Sequence, residues 1–367
     1  MGYKLQEKLE LVVEFEQSGR YVEFPFEANT NTLTELSMCE STKFIVPTVY
    51  LQLQDGCGFF KEYPMVDGQR VRVSLAVQGQ VTKSRIFRIY SQSVMFDGVS
   101  DTAKIDGYLD CPVYRYTSSC AGYNMTTASA IQQIASQCGF KSDVAQTSDK
   151  QIWMQGNRTY SDFVTYLTQH GYAGAYSYMV SGLTLDSVLK YRDVNNISDP
   201  PFNMIVHSSR EGYIACTDIN VSSNSGLTNG FGGYASTLVD MRDNVERKDL
   251  TVKKNNRLLS VNTDLVKAIK RSNINYSLYR ADLSPNYWDA TYQNDRYARL
   301  YNVTASLMIT LPSNVTLLSP INLAIFDQTG EKINAKDSGS YIVDTRTIYI
   351  RGVNYAERIT ATRMGIN

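Results

Sequence analysis

Residues 123–178 read YNMTTASAIQQIASQCGFKSDVAQTSDKQIWMQGNRTYSDFVTYLTQHGYAGAYSY, and they carry the clearest helical periodicity in the chain. Apolar residues recur three and four positions apart in the first part, at Ala128, Ile131, Ala135 and Cys138. This spacing predicts one apolar stripe of an amphipathic helix. Thr126 or Thr127 can cap its start, and Gly139 stands where a left-handed residue would end it.

A second helix is predicted a few residues later, and its stripe consists of Phe163, Tyr166, Leu167 and His170. Thr159 or Ser161 can cap this helix, and Gly171 ends it. Helices this short are unstable alone, so the two must pack on each other. We expect Trp153, in the polar loop between them, to be the wedge. A small hairpin over residues 176–191 then closes the module.

The sequence before this module alternates apolar and polar residues, as half-buried strands do. Leu9, Leu11 and Val13, for example, are separated by Glu10 and Val12 and are followed by glutamates. About six short strands are predicted in the first 100 residues, the last two at 86–90 and 94–96. Residues 29–43 are predicted to be a loop, and residues 99–122 a connector.

The sequence after the module returns to strand patterns. Pro200 and Pro201 mark the boundary, strand character follows over residues 203–221, and residues 222–233 predict a Gly-rich mobile loop. The final stretch predicts five short strands and no helix, at 303–311, 321–325, 341–343, 348–350 and 358–363. Regular spacing of short strands is typical of a barrel or a sandwich.

These patterns predict an α+β chain that is mostly β, with a small barrel on each side of a helical, mixed module. The expected divisions are a first barrel at 1–108 and an α/β module with two short helices at 109–200. A strand region with a Gly-rich loop, a basic segment and a Tyr-rich arm follows at 201–301. The closing strands of the second barrel occupy 302–367.

Composition and simple sequence patterns give no support for several classes of function. The 367 residues have 36 basic and 36 acidic side chains, so net charge gives no reason to expect affinity for nucleic acid or membranes. No run of about 18 apolar residues exists, so we expect no membrane span. The first residues lack the apolar core of a signal peptide, and the six cysteines show no zinc-like spacing. We therefore expect reduced thiols.

The region 241–301 contains the candidate interface residues. Residues 241–273 have nine basic and four acidic side chains, which is either a solvated face with a short helix at 264–271 or a patch for an acidic partner. Residues 277–301 hold Trp288 and five tyrosines with little periodicity, which suits an extended arm lying on another surface. The interface candidates are Arg247, Lys248, Lys253, Lys254, Tyr287, Trp288 and Tyr292.

Catalytic signatures are missing from the sequence. Its two histidines, His170 and His207, have no motif partner nearby, and each is interpreted as structural. Neither a G-x-S-x-G motif nor a P-loop occurs, and no sequence rule selects a carboxylate pair. We therefore predict no enzyme activity, no catalytic residue, no cofactor and no metal.

Three groups of residues resemble the baseplate central hub proteins of contractile-tailed phages, together with the related late-control proteins and type VI spike hubs. The turn at 64–68 (PMVDG) leads into the strand residues 71–73. A helix, tryptophan, helix order follows at 127–140, 153–155 and 157–167. The closing strands match over residues 338–343 and 348–352 and at Arg363. The region 241–301 has no counterpart in this resemblance.

The resemblance implies a structural virion protein with two tube-like barrels in each subunit. Three subunits would form a homotrimeric ring of pseudo-six-fold symmetry that adapts a six-fold tail tube to a three-fold spike. The expected partners are tail-tube or tube-initiator proteins and the central spike, with the tape-measure protein and the baseplate wedge as further candidates. DNA would meet the channel only in transit during genome ejection. The expected location is the tail baseplate of a virion assembled in the host cytoplasm.

Two other functions stay open at this point. A receptor- or carbohydrate-binding tail module could stack sugars on Trp288 and Tyr292. A cell-wall hydrolase would need a carboxylate or histidine site, and no sequence pattern indicates one.

Overall fold

The computed structural model describes residues 3–4, 9–26, 31–77, 82–96, 100–223, 234–240, 247–251, 271–277, 284 and 286–364. Strands dominate these residues, and the helices are few and short. The prediction of an α+β chain that is mostly β is therefore confirmed. Most of the predicted helix at 264–271 and most of the Gly-rich loop lie outside the described residues.

The N-terminal part of the chain forms eight strands and one short helix, α1 (Phe59–Glu62). The strands are β1 (Tyr3–Lys4), β2 (Leu9–Gln17), β3 (Arg20–Glu23), β4 (Thr32–Ser41), β5 (Thr48–Asp55), β6 (Arg70–Val77), β7 (Lys83–Met95) and β8 (Asp101–Leu109). Their order across the sheet is β1-β2-β6-β7-β8-β5-β4, with β3 beside β2. The alternation predicted for β2 is confirmed, since Leu11, Val13 and Phe15 are fully buried.

Three predictions for this part are wrong. The residues expected to be a loop at 29–43 contain the ten-residue strand β4. The residues expected to be a connector at 99–122 contain β8, the short helix α2 (Pro112–Tyr116) and the start of β9 (Gly122–Met125). The two strands expected at 86–90 and 94–96 are parts of the single strand β7, which bends at a register shift between Ile89 and Ser91.

The mixed module has the predicted order of two helices and a hairpin, together with three short strands that were not predicted. After β9 come α3 (Thr127–Gln137), β10 (Lys141–Val144), β11 (Gln151–Met154), α4 (Tyr160–His170), β12 (Met179–Leu183), β13 (Val188–Asp193) and a 3-10 turn (Val194–Asn196). Strands β12 and β13 form the predicted hairpin, and β10 pairs with β13 in parallel.

Capping side chains and a glycine set the ends of α3 and α4. The Thr126 hydroxyl accepts a hydrogen bond from the backbone N–H of Ser129, and the Thr159 hydroxyl accepts one from Asp162. Gly139 has a φ of 75°, the left-handed conformation expected after a helix. Trp153 is buried as predicted, but it lies on β11, which pairs with β9, rather than in a loop.

The remaining strands are β14 (Phe202–Val206), β15 (Ile214–Cys216), β16 (Asp218–Ser223), β17 (Tyr234–Asp240), β18 (Arg247–Thr251), β19 (Arg271–Ser277), β20 (Val303–Ile309), β21 (Pro320–Ile325), β22 (Gly339–Arg351) and β23 (Asn354–Arg363). Strands β17, β18 and β19 form a separate small sheet. The strands expected at 341–343 and 348–350 are one continuous strand, β22. A bulge at Asp344 shifts the register, and β22 pairs with β23 on both sides of it.

The residues predicted to be an extended arm include a helix, α5 (Tyr287–Leu300), so that prediction is wrong for this part. The buried positions of α5 repeat at helical spacing, at Tyr287, Ala290, Asn294 and Tyr297. This stripe was not predicted from the sequence, because it consists of tyrosine, alanine and asparagine and not of aliphatic residues.

The strand order shows how the two ends of the chain are joined. The sheet path continues from β4 directly to β22 and then through β21 and β14 to β15. A branch from β22 runs through β23 and β20 to β16. The successive strands β15 and β16 pair with β14 and β20, which lie on opposite sides of this part. Within the described residues no single strand closes either half into a barrel, so barrel closure stays a prediction.

Candidate functional site

The seam between the two halves of the sheet is built by β4 and β22. Seven residue pairs join the strands in antiparallel register, from Thr345 opposite Ser41 to Arg351 opposite Glu35. The first half of β22 pairs with β21 and the second half with β4, while β23 covers most of its length. One strand therefore belongs to both halves, and it fixes them edge to edge.

A buried carboxylate, Glu40, connects the seam to the rest of the chain. Its two oxygens accept hydrogen bonds from the backbone N–H groups of Leu185, at 2.7 Å, and Leu317, at 3.1 Å. Leu185 belongs to the turn between β12 and β13, and Leu317 to the loop between β20 and β21. Glu40 thus ties together the N-terminal sheet, the module and the C-terminal sheet. Its burial raises the pKa of the carboxyl group.

A second buried carboxylate, Glu357, lies beside the seam in an ion pair with Arg346. The guanidinium donates to both Glu357 oxygens, at 2.9 and 3.1 Å, in a bidentate geometry. Ser313 and Tyr355 also donate hydrogen bonds to this carboxylate. Burial alone would raise the pKa of Glu357, but Arg346 and the hydroxyl donors together hold it below its usual value.

The helix α5 packs against the module through two amide side chains. The side-chain amide of Asn294 donates to the carbonyls of Thr168, Gln169 and Gly171 at the end of α4. Its carbonyl oxygen accepts from the N–H of Met179, at 3.0 Å. Gln293 donates in the same way to the carbonyls of Gly174 and Ser177 and to the Ser177 hydroxyl. Helix-end carbonyls lack partners within their own helix, so these bonds hold α5 in place.

An aromatic cluster surrounds His170 under the start of α5. Its ring lies between the rings of Tyr166 and Tyr287, at centroid distances of 4.4 and 4.5 Å. Its Nδ1 donates to the carbonyl of Tyr166, and burial lowers the pKa of the imidazole. Trp153 packs against the same two tyrosines. The structural interpretation of His170 accounts for every one of these contacts.

The structure places the predicted interface residues in different surroundings. Tyr287 is buried in the His170 cluster, and its hydroxyl lies 2.9 Å from that of Tyr166. Trp288 and Tyr292 lie on α5, and Arg247 and Lys248 on β18, but their side chains lie outside the described residues, as do Lys253 and Lys254 entirely. The interface role of all seven residues, and the sugar-binding alternative, stay predictions.

A surface patch that the sequence reading missed lies on the N-terminal sheet. Tyr90 and Tyr116 are both more than half exposed, at 53% and 58%. They flank the buried Tyr108, whose ring stacks on that of Tyr90 and lies under the guanidinium of Arg115. Exposed tyrosine and arginine are enriched in the central residues of protein interfaces. Tyr90 lies on a strand and Tyr116 in a segment that was predicted to be a connector, so no shared sequence pattern indicated this patch.

The part of the chain that the structure describes was predicted to hold no metal and to span no membrane. No group of three or more His, Cys, Asp or Glu side chains there could hold a metal ion. Within the same residues, no helix is both long and apolar enough to cross a membrane.

Solved structures share this fold. A tail protein from Neisseria meningitidis MC58 gives a TM-score of 0.61 at 10% identity, over 96% of each chain. A 43 kDa tail protein of prophage MuSo2 from Shewanella oneidensis gives 0.61 at 11% identity, over 97% of this chain and 98% of that one. The chain has the fold of these two tail proteins. No protein-family model and no curated protein matches the sequence.

The tail-protein fold also extends to secretion machinery. A component of the E. coli type VI secretion system, likened in its description to the T4 bacteriophage tail proteins gp27 and gp5, gives a TM-score of 0.50 at 10% identity. This match covers 97% of our chain and 76% of the other. The TM-scores show a common fold although the identities are low, and at the level of the fold they confirm the resemblance predicted from the sequence.

Proposed function

We propose that this chain is a baseplate hub, a structural protein that joins a tail tube to a central spike. Three copies form a ring in which two sheet halves from each subunit alternate and imitate six-fold symmetry. One face of the ring meets the six-fold tube, and the other meets a three-fold spike. The ring surrounds the channel through which the tape-measure protein and DNA pass.

The observation that carries this proposal is the seam between β4 and β22. A subunit can stand in for two units of a six-membered ring only if its two sheet halves are held side by side without relative motion. Seven paired residues supply the backbone contacts, and Glu40 adds hydrogen bonds across the seam to both neighbouring parts. The exposed strands at the ends of such a sheet favour pairing with another subunit.

The fold likeness supports the same proposal. The similar structures are tail proteins and a type VI secretion component, which favours a structural role in a virion tail over an enzymatic one. A hub needs surfaces for its neighbours and no reacting group. The equal numbers of acidic and basic residues also suit a channel that must not retain DNA.

Light scattering coupled to size-exclusion chromatography tests the assembly. The proposal predicts a particle with three times the chain mass of 41.3 kDa at high protein concentration, with a central hole in negative-stain images. A strictly monomeric particle at every concentration, together with no ring in the assembled tail, would contradict it. A glycan array distinguishes the sugar-binding alternative, which predicts a specific hit from the same preparation.

A further inference from the structure

A small cavity lies beside the seam, between β7, the loop after β20 and the hairpin of β22 and β23. Its volume is about 50 Å³. The ionisable side chains in its wall are Lys83, Arg85, Arg346, Glu357 and the phenol of Tyr355. The neutral polar residues Ser313 and Asn314 also line it. Three cations therefore face this cavity with one carboxylate, which is itself held by Arg346.

Two of the cations are buried guanidinium groups with unused donors. The side chain of Arg85 is 3% exposed, and its Nε and Nη2 both donate to one oxygen of Asp186. The side chain of Arg346 is 4% exposed; its Nε and Nη2 donate to Glu357, and Nη2 also donates to the carbonyl of Ser313 at 3.3 Å. Among the described residues, no hydrogen bond is made by Nη1 of either group, although Nη1 of Arg346 forms a long ion pair with Glu40 at 4.0 Å.

These unused donors can bind an acceptor. A guanidinium carries five N–H groups, and neither Nη1 is a buried atom without a partner, so water or a ligand can reach both. Asp186 cannot satisfy Arg85 completely, since its side chain is 38% exposed and also lies 3.7 Å from Nζ of Lys83. Arginine forks match the oxygen geometry of phosphate and sulfate, and lysine adds a point charge.

The size of the cavity selects the ligand. A water-sized site takes about 10–15 Å³ of such a volume, so the cavity holds roughly three to five oxygen-sized atoms. That number fits the oxygens of one tetrahedral ion and leaves no room for a nucleotide or a peptide. We propose that this cavity binds a small free oxyanion of the phosphate or sulfate class, held by Arg85, Arg346 and Lys83. The ion would brace the N-terminal and C-terminal sheets against each other.

The test uses the full chain and inorganic phosphate, with chloride at the same ionic strength as the reference. Phosphate is expected to raise the thermal midpoint of the wild-type protein and to show line broadening in ³¹P NMR spectra. Arg85→Met should weaken phosphate binding by about tenfold or more, because it removes charge-assisted bonds. Arg88→Met is the matched control: Arg88 lies on the same strand and pairs with Asp110, but it does not line the cavity. It should leave the affinity within about twofold.

A second variant keeps the proposal testable if Arg85→Met does not fold. Asp186→Asn removes a carboxylate that competes with phosphate for Arg85, so it should tighten phosphate binding. The same change should lower the stability of the protein in the absence of phosphate. Equal stabilisation of the wild type by phosphate and chloride would overturn the proposal. Undiminished phosphate binding in Arg85→Met, or weaker binding in Asp186→Asn, would overturn it as well. None of these results depends on whether the chain forms a hub.

Discussion

Replacement of Glu40 by alanine should strongly destabilise the protein at the seam of β4 and β22. The carboxylate is buried, and it accepts the backbone N–H groups of Leu185 and Leu317 at 2.7 and 3.1 Å. Each N–H left without an acceptor costs about 1–3 kcal/mol. Loss of the acceptor for both N–H groups should therefore lower the free energy of unfolding by roughly 2–6 kcal/mol.

The cost of ionising the buried Glu40 reduces the loss of stability expected within that range. Burial raises the pKa of this carboxyl, so its charged form is less favourable in the folded protein than in the unfolded chain. Alanine removes that penalty along with the hydrogen bonds. We therefore expect a loss of about 2–4 kcal/mol at neutral pH, a large share of the typical total of about 5–15 kcal/mol.

Urea unfolding and hydrogen exchange measure this effect. Glu40→Ala should lower the free energy of unfolding and should remove exchange protection at the amides of Leu185 and Leu317. Glu331→Ala is the control, because Glu331 is exposed on a surface loop and should change stability by less than about 0.5 kcal/mol. The reasoning is refuted if Glu40→Ala matches the control, or if both amides keep their protection.

Three further predictions concern other buried contacts. Glu357→Gln breaks the buried pair with Arg346 and should cost about 3–5 kcal/mol at pH 7 in urea unfolding. Because the pKa of Glu357 is lowered in the folded protein, its contribution to stability is present above the unfolded pKa and is lost as the pH falls through the folded pKa. The cost of the substitution should therefore shrink at acid pH, and a cost that stays constant would contradict this prediction. Asn294→Ala leaves the N–H of Met179 without its acceptor, so we expect a loss of about 1–3 kcal/mol and faster hydrogen exchange at the end of α4, whereas unchanged exchange would count against the docking of α5. Gly171→Ala makes a Cβ clash with the hydroxyl of the buried Tyr191, so thermal unfolding should show a loss of about 1–3 kcal/mol. A neutral result would mean that the ring moves freely.

The module was the part most open to prediction because its signals are local. Threonine caps and apolar stripes lie within one or two helical turns of each other, and both helices formed where these signals predicted. Gly171 ends α4 as expected, but for a different reason from Gly139. Its φ is −71°, so the glycine is needed for close contact with Tyr191 and not for a left-handed turn. Such a contact between distant residues cannot be read from local sequence.

The strand β4 was missed because its pairing is irregular and its buried residues include an acid. A register shift between Leu33 and Glu35 moves the apolar residues out of strict alternation, so Leu33, Leu36 and Met38 do not follow a period of two. Glu40 is buried only because backbone groups far away in sequence satisfy it. The central element of the candidate site therefore depends on long-range contacts, and local pattern could not predict it.

The helix α5 and the surface patch around Tyr108 were missed for a similar reason. The buried side of α5 uses Asn294 and tyrosines, which hydrogen-bond to the module rather than fill an aliphatic core. Tyr90 and Tyr116 come together only because β7, β8 and α2 are neighbours in the folded chain. Sequence pattern predicts which residues are apolar, but it does not predict which polar residues will meet.

Cryo-electron microscopy of an assembled tail that contains this chain is the most direct measurement of the proposed role. We predict three copies around the axis, each contributing two adjacent sheet halves joined at β4 and β22, between a six-fold tube and a three-fold spike. A single copy per tail, or six copies that each contribute one sheet half to the ring, would contradict the account.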